Sequence, residues 1–310
     1  MTTAHEPAIT TKNLRRSFGK SHALDGFDMK VPAGKVVGLV GPNGAGKTTL
    51  LLILAGLLAP DDGTALVAGA DPVEQPFEVH RNIGWMPDFF GVYDGLTATE
   101  YLDLFGAAYR LSVKERRDRA KELIALVHLE SFADAPVHTM SRGQKQRLGF
   151  ARAIVHRPKV LLLDEPASGL DPRARVELRE LVRKQADEGA SVLVSSHILS
   201  ELEEMVDLVA FAEKGKCKGI HPLHDLPGAA ARTWQFRSLD PAALEVALSA
   251  AEMSATFLPN GAGVVALKDE QEAAQLVEHL VRVGVPIVEV TRGGGGLESA
   301  FMAMDEGDRR

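Results

Sequence analysis

The 310-residue sequence is long enough for one large domain or two ordinary ones, and its 45% apolar content is ample for a globular core. With 35 Lys plus Arg against 42 Asp plus Glu, the net charge of −7 argues against nucleic-acid binding through a basic surface. A single cysteine, Cys217, excludes an internal disulfide framework and a cysteine-rich metal site. The opening MTTAHEPAITTK lacks the apolar core of a signal peptide, so the chain is expected in the cytosol. The longest apolar run, Leu50–Ala59, is about half of what a membrane-spanning helix needs, so any membrane role must come through a partner.

Up to about Asp71 the pattern reads as strands and turns interrupted by one helix. KVVGLV (Lys35–Val40) is a short buried strand, and KTTLLLILAGLL (Lys47–Leu58) a helix that follows a glycine-rich turn. Residues 97–133 are helical in pattern, with VKERRDRAKEL as a solvated face. MSRGQKQRLGFARAI (Met140–Ile154) opens with Ser141 at an N-cap and Gln144 three positions on, a capping-box spacing before an apolar stripe. KVLLLDEP (Lys159–Pro166) and SVLVSSH (Ser191–His197) are buried-strand runs of the parallel α/β kind, separated by a helix from about Pro172 to Glu188.

After roughly Gly215 the character changes. TWQF reads as a strand, DPAALEVALSAA as a helix with Asp240 at the cap and Pro241 in its first turn, and SATFL and GVVAL as two more strands. The helix EQEAAQLVEHLVRVG and the strand PIVEV complete a βαββαβ order, which predicts a small ferredoxin-like domain. The run Gly293–Gly296 then leads to a last helix around LESAFMAM.

GPNGAGKTT fits the phosphate-loop spacing, with Gly41, Gly46, Lys47 and Thr48 in the required places between a strand and a helix. Backbone N–H groups of such a loop cradle phosphates, the lysine reaches the β and γ oxygens, and the threonine hydroxyl binds Mg²⁺. Asp164, at the end of a buried strand, can hold the Mg²⁺ shell against Thr48, and Glu165 beside it is placed to orient and polarise an attacking water. His197 ends the next strand; a lone histidine is more often structural, but the carboxyl end of a parallel strand beside a phosphate site favours function.

In this order the motifs resemble the nucleotide-binding subunit of an ATP-binding cassette (ABC) transporter, over about residues 8–225. GPNGAGKTT (Gly41, Pro42, Asn43, Gly44, Ala45, Gly46, Lys47, Thr48, Thr49) is similar to its Walker A motif and VLLLDEP to its Walker B. SGLDP, with Asp171, is similar to the D-loop, and His197 to the switch histidine. Phe18 falls where the family places an aromatic that stacks on adenine, although as a bare residue it reads as core. MSRGQ resembles the signature Leu-Ser-Gly-Gly-Gln, with Arg142 in place of a glycine. Where the family usually has a glutamine that helps ligate Mg²⁺, this chain has Asp88. A carboxylate there can hold the ion, through water, at the cost of a negative charge near the γ-phosphate; the residue also reads simply as a turn aspartate before an aromatic pair. GGLESAFMAM is similar to the end of exporter subunits of the drug- and antibiotic-resistance group, which carry a small C-terminal domain.

The resemblance implies an α/β fold: a P-loop NTPase domain with a parallel-sheet core, an antiparallel β-subdomain and a helical signature subdomain at about 90–155. A small α+β ferredoxin-like domain at 226–310 follows. It implies an ATPase that uses ATP and Mg²⁺, with Glu165, His197 and Lys47 catalytic, Thr48, Asp164 and Asp88 at the metal, and Phe18 on the base. In the family two subunits face each other head to tail, so Ser141, Arg142, Gly143, Gln144 and Asp171 would grip the ATP bound to a second copy or a paralogous subunit. The remaining partner implied is an integral membrane permease that keeps the protein on the inner face of the cell membrane, docked around Phe89–Leu102; no nucleic acid is expected. Two rival classes stay open: a soluble cassette of translation or DNA repair, against which stand the single cassette and the absence of heptads, and a regulatory subunit with reduced hydrolysis marked by Asp88.

Overall fold

The computed structural model describes residues 6–292 except 89, 90, 92, 94, 198–201, 226–231, 252 and 259. The helix expected around LESAFMAM, the Gly293–Gly296 run, and Phe89 and Phe90 therefore lie outside the described residues. The chain divides into two compact units, one up to His221 and one from Pro222 onward.

The first unit begins with β1 (Ile9–Phe18), β2 (Ser21–Val31) and β4 (Asp62–Val67), an antiparallel sheet ordered β2-β1-β4 in which Ile9 faces Val31 on one side and Val67 on the other. Its inner residues Ile9, Leu14, Phe27 and Val31 pack in one core with Leu50, Leu51, Ile53 and Leu54 of α1 (Lys47–Leu54). That core extends to Leu39, Leu162 and Leu193, which belong to a second sheet. Its six strands run β5 (Ile83–Met86), β6 (Val160–Asp164), β7 (Ser191–Ser196), β3 (Val36–Val40), β8 (Leu208–Glu213) and β9 (Lys216–Pro222). From β5 through β8 all pairs are parallel. Every residue of β3, β6 and β7 is buried, as expected for strands covered on both faces.

Between β5 and β6 lies a helical segment: α3 (Ala98–Ala108), α4 (Val113–Leu126) and α5 (Arg142–Ala153), after the short α2 (Pro76–Asn82). Each of the three long helices starts on a full capping box, Thr97 with Glu100, Ser112 with Glu115 and Ser141 with Gln144, so the start signal read at Ser141 recurs twice upstream. The charged run in α4 is not wholly a solvated face. Arg119 is buried, donating to the carbonyls of Val155 and Ile154 and pairing with Glu122, because the chain leaving α5 needs partners for its terminal carbonyls. Nor is 97–133 one helical stretch: Arg110 takes a positive φ of 61° and separates α3 from α4. The helix α6 (Pro172–Asp187) leads into β7.

The second unit has β10 (Arg232–Ser238), α7 (Pro241–Ala250), β11 (Ala255–Phe257), β12 (Gly263–Leu267), α8 (Glu270–Arg282) and β13 (Ile287–Arg292). Its antiparallel sheet is ordered β11-β12-β10-β13, the arrangement that a ferredoxin-like βαββαβ chain generates. Phe236, Leu244, Leu248, Val265 and Leu280 form its core, and Asp240 caps α7 by accepting from the Ala243 amide.

His156, just after α5, donates Nε2–H to the Ile83 carbonyl (2.8 Å) and stacks on Tyr109 with ring centroids 3.6 Å apart. Burial pushes its pKa down to about 4, with the Arg119 charge acting in the same direction against the bond to Ile83. Between about pH 6.5 and 4 the unfolded chain binds the proton that the folded chain refuses, so this histidine makes stability fall as pH falls, by up to about 1.4 kcal/mol per pH unit. His156→Phe is expected to be about 1 kcal/mol less stable at pH 7 through the lost hydrogen bond. The gap from wild type should close at about pH 6 and reverse below it, leaving the variant the more stable at about pH 4.5, as read from urea-unfolding midpoints; a pH-independent gap would contradict the burial of a neutral imidazole.

Candidate functional site

The loop Gly41–Gly46 leaves the end of buried β3 and enters α1 directly. Its glycines answer close approaches: a Cβ on Gly41 would lie 2.1 Å from the Ala212 carbonyl oxygen. One on Gly46, whose φ is 96°, would lie 2.3 Å from that of Ala23. Pro42, Asn43 and Gly44 are exposed at the crest, and Ala45 is buried beneath with its amide on the Pro42 carbonyl. Unlike α3, α4, α5 and α6, α1 has no side-chain cap, and no acid stands in its first turn, so among the described residues no side chain satisfies its leading N–H groups. That is the electrostatic arrangement of a phosphate site.

Lys47 begins this helix with its side chain buried, its ammonium 2.7 Å from the Gly41 carbonyl and 3.3 Å from that of Pro42. Burial lowers its pKa, opposed by the negative charges of Glu165 and Asp164. Asp164 ends β6 with only 3% exposure, and burial raises its pKa. Hydrogen bonds from the Ser195 and Thr48 hydroxyls oppose that rise, while the like charges of Glu165 and Asp88 add to it. Thr48 and Asp164, expected to share a metal shell, are therefore in contact, and Asp88 lies near enough for its charge to be felt.

Glu165 stands in a left-handed conformation, φ 47°, which a non-glycine residue adopts only when its surroundings enforce it. One carboxylate oxygen is 2.7 Å from Nδ1 of His197, and the other 4.0 Å from the Lys47 ammonium. The Glu165 carbonyl accepts from the Ser168 amide. Lys47, Thr48, Asp164, Glu165 and His197, drawn from α1 and the ends of β6 and β7, thus converge at the carboxyl edge of the parallel sheet, where ligands bind in folds of this kind. Oxygen donors from Thr48, Asp164 and Asp88 suit a hard cation such as Mg²⁺. Among the described residues no group of three or more His, Cys, Asp or Glu forms a cage by itself, so phosphate and water oxygens would have to complete the shell.

The signature segment is built from its own local bonds. Ser141 Oγ accepts from the Gln144 amide, Gln144 Oε1 accepts from the Ser141 amide, and Gly143 leaves room at the helix start. Arg142 donates to Ser168 Oγ at 3.3 Å, and its guanidinium covers Gly169 so closely that a Cβ there would sit 2.7 Å from Cζ. Asp171 is committed to capping α6 through the Ala174 amide, 2.9 Å. Phe18, read as core from the bare sequence, is 51% exposed at the end of β1, with the Arg16 guanidinium 5.0 Å from its ring centroid. In the expected docking segment, Tyr93 is exposed but Tyr101 and Leu102 are wholly buried, because α3 turns them into the helical core.

One residue of the site escaped the sequence reading. Ser195, fully buried on β7, donates to Asp164 and accepts the Glu165 amide. The signal was present, a pair of serines closing a buried strand just before His197.

The ABC transporter family profile matches residues 24–168. The chain is 41% identical over 216 residues to the daunorubicin/doxorubicin resistance ATP-binding protein DrrA of Streptomyces peucetius, covering 70% of this chain and 66% of that one. It is 40% identical over 211 residues to the probable multidrug ABC transporter ATP-binding protein YbhF of Escherichia coli, spanning 67% of this chain but 36% of YbhF. With the Nod factor export ATP-binding protein I of Paraburkholderia xenovorans it shares 38% identity over 212 residues, 68% of this chain and 69% of that one. A solved ATP-binding subunit of an ABC transporter superposes with TM-score 0.65 at 31% identity, covering 70% of this chain and 91% of that one. A dimeric bacterial ABC transporter cassette gives 0.64 at 27% identity, covering 69% and 98%. No helix among the described residues is long and apolar enough to cross a membrane. The phosphate loop on a parallel sheet, the carboxylates at its edge and these similarities lead to one conclusion: the chain belongs to the ATP-binding proteins of the ABC transporter family.

Proposed function

We propose that this chain is the ATP-hydrolysing subunit of an exporter, with residues 8–225 as the nucleotide-binding domain and 226–310 as a small C-terminal domain. The observation that carries this reading is the convergence of Lys47, Thr48, Asp164, Glu165 and His197 on one loop whose helix start is uncapped. The names of the relatives, drug resistance for DrrA and Nod factor export for the Paraburkholderia protein, support the transport direction. The cassette solved as a dimer, also in a post-hydrolysis state with ADP and phosphate, supports a paired arrangement.

In this reading the amides of Gly41–Thr49 hold the phosphates of ATP and Phe18 stacks on the base. Lys47 leaves the carbonyls of Gly41 and Pro42 for the β and γ oxygens. Thr48 and Asp164, with Asp88 through water, would hold Mg²⁺, which when bound neutralises charge on the β- and γ-phosphates. Glu165 orients the attacking water and draws off its proton. His197, paired with Glu165, steadies the departing γ-phosphate, so catalysis rests on positioning and electrostatics. Ser141, Arg142, Gly143, Gln144 and Asp171 cap the ATP of a second copy or a paralogous subunit. A separate membrane-spanning permease carries the substrate and keeps the pair on the cytoplasmic face of the membrane.

Glu165→Gln is expected to bind ATP as wild type does, lose at least about 100-fold in steady-state turnover and accumulate ATP-dependent dimer in light scattering. Normal turnover by that variant would remove Glu165 from the chemistry. Asp88→Ala is expected to raise the Mg²⁺ concentration for half-maximal activity about tenfold, with Asp88→Gln restoring it. An unchanged Mg²⁺ curve would exclude Asp88 from the metal shell. Capture of the tagged protein from detergent-solubilised membranes of its host should bring down, in near-equal amount, a polypeptide with several apolar stretches of about 20 residues. Recovery of ribosomes or DNA instead would transfer the ATPase to a soluble role.

A further inference from the structure

One hydroxyl on β7 bonds both acidic residues at the end of β6. In the parallel register Asp164 lies opposite Ser195, whose side chain has no exposure to solvent. Ser195 Oγ donates its one proton to Asp164 Oδ1 at 2.6 Å and accepts the Glu165 amide at 3.0 Å. The first bond occupies one oxygen of Asp164 and fixes the direction of a carboxylate that the Thr48 hydroxyl also stabilises. The second pins the backbone of Glu165 at the residue where φ is 47°. Two positions further along the chain, just past β7, His197 holds the Glu165 carboxylate at 2.7 Å. The end of β7 thus grips Glu165 at both its backbone and its side chain.

We propose that Ser195 is a positioning residue for ATP hydrolysis: its hydroxyl fixes at once the direction of the Asp164 carboxylate toward the metal position and the left-handed backbone that aims Glu165 at the phosphate loop. Fully buried, it acts through these two neighbours. An alanine would leave a buried carboxylate oxygen and a buried amide without their partner, and both groups would be free to reorient. Threonine keeps the hydroxyl, whereas cysteine keeps the size but is a weak donor and acceptor.

The inference rests on the ATPase reading above, and the test separates the two. Full-length wild type, Ser195→Ala, Ser195→Thr and Ser195→Cys are titrated with a fluorescent ATP analogue in EDTA and in Mg²⁺, and their steady-state ATPase is followed against Mg²⁺ concentration. In Ser195→Ala, affinity in EDTA should match wild type, because the phosphate loop is untouched. The Mg²⁺-dependent gain in affinity should vanish, half-activating Mg²⁺ should rise and kcat should fall, each about 10- to 100-fold. Threonine should restore all three and cysteine should fall between. Mg²⁺ curves and turnover within twofold of wild type in both the alanine and cysteine variants would overturn the proposal. So would an equal loss of affinity with and without Mg²⁺, which marks a structural role alone. A wild-type protein without ATPase activity would instead sink the functional reading, leaving the Mg²⁺-dependent binding to judge Ser195.

Discussion

The site depends on one carboxylate that has almost no access to water. Asp164 closes a strand in which all residues are buried, and a charge there is costly unless hydrogen bonds and opposite charges compensate it. The compensation comes from three directions: Ser195 on β7, Thr48 on α1, and the Lys47 ammonium, whose own burial is offset by Asp164 and Glu165. The strand, the neighbouring strand and the helix after the phosphate loop are thereby fixed against one another by a single group. The carboxylates of such a site are held by the chain's own hydrogen bonds, an arrangement that favours electrostatic catalysis.

The second constraint is the left-handed backbone at Glu165. Such a conformation costs on the order of 1 kcal/mol and persists because bonds on every side define it: the amide to Ser195, the carbonyl from Ser168, the carboxylate to His197. Ser168 also receives Arg142, whose guanidinium lies over Gly169. The arginine at this signature position therefore fills space over the following loop and ties the start of α5 to the Ser168 side chain, three residues after Glu165.

Local constraints were legible in the sequence. The phosphate loop is written as residue types at fixed offsets, and β3, β6 and β7 as apolar runs, because strands buried on both faces have no alternation to obscure them. The C-terminal unit follows from its βαββαβ order alone, down to the cap at Asp240. What could not be read depends on register and burial. β5 is only four residues long, and Gly84 interrupts its apolar run. β8 and β9 extend the first unit's sheet to Pro222, past the change in character seen near Gly215. Ser195 meets Asp164 across 31 residues of chain, a relation visible only once β6 and β7 are paired. Arg119 looks solvated in its charged run and is buried because carbonyls at the end of α5 need donors.

Those same carbonyls show how α5 is held. At its start Arg142 bonds the loop that follows Glu165. Near its end Arg152 donates to the Trp85 carbonyl at 3.0 Å, and His156, just beyond, donates to that of Ile83 at 2.8 Å, both on the strand that leads to Asp88. A helix of 12 residues is a rod of about 18 Å, stiff over that length. Linked at one end to the Ser168 hydroxyl in the loop after Glu165 and at the other to the strand before Asp88, it connects segments at both sides of the phosphate site. If its first turn grips a nucleotide held by a second subunit, the arrival of that nucleotide bears on the position of this chain's own Asp88 and Glu165. Under that reading, two phosphate sites on facing subunits share an element within each chain, and the capped helix start at Ser141 becomes part of the apparatus around the first.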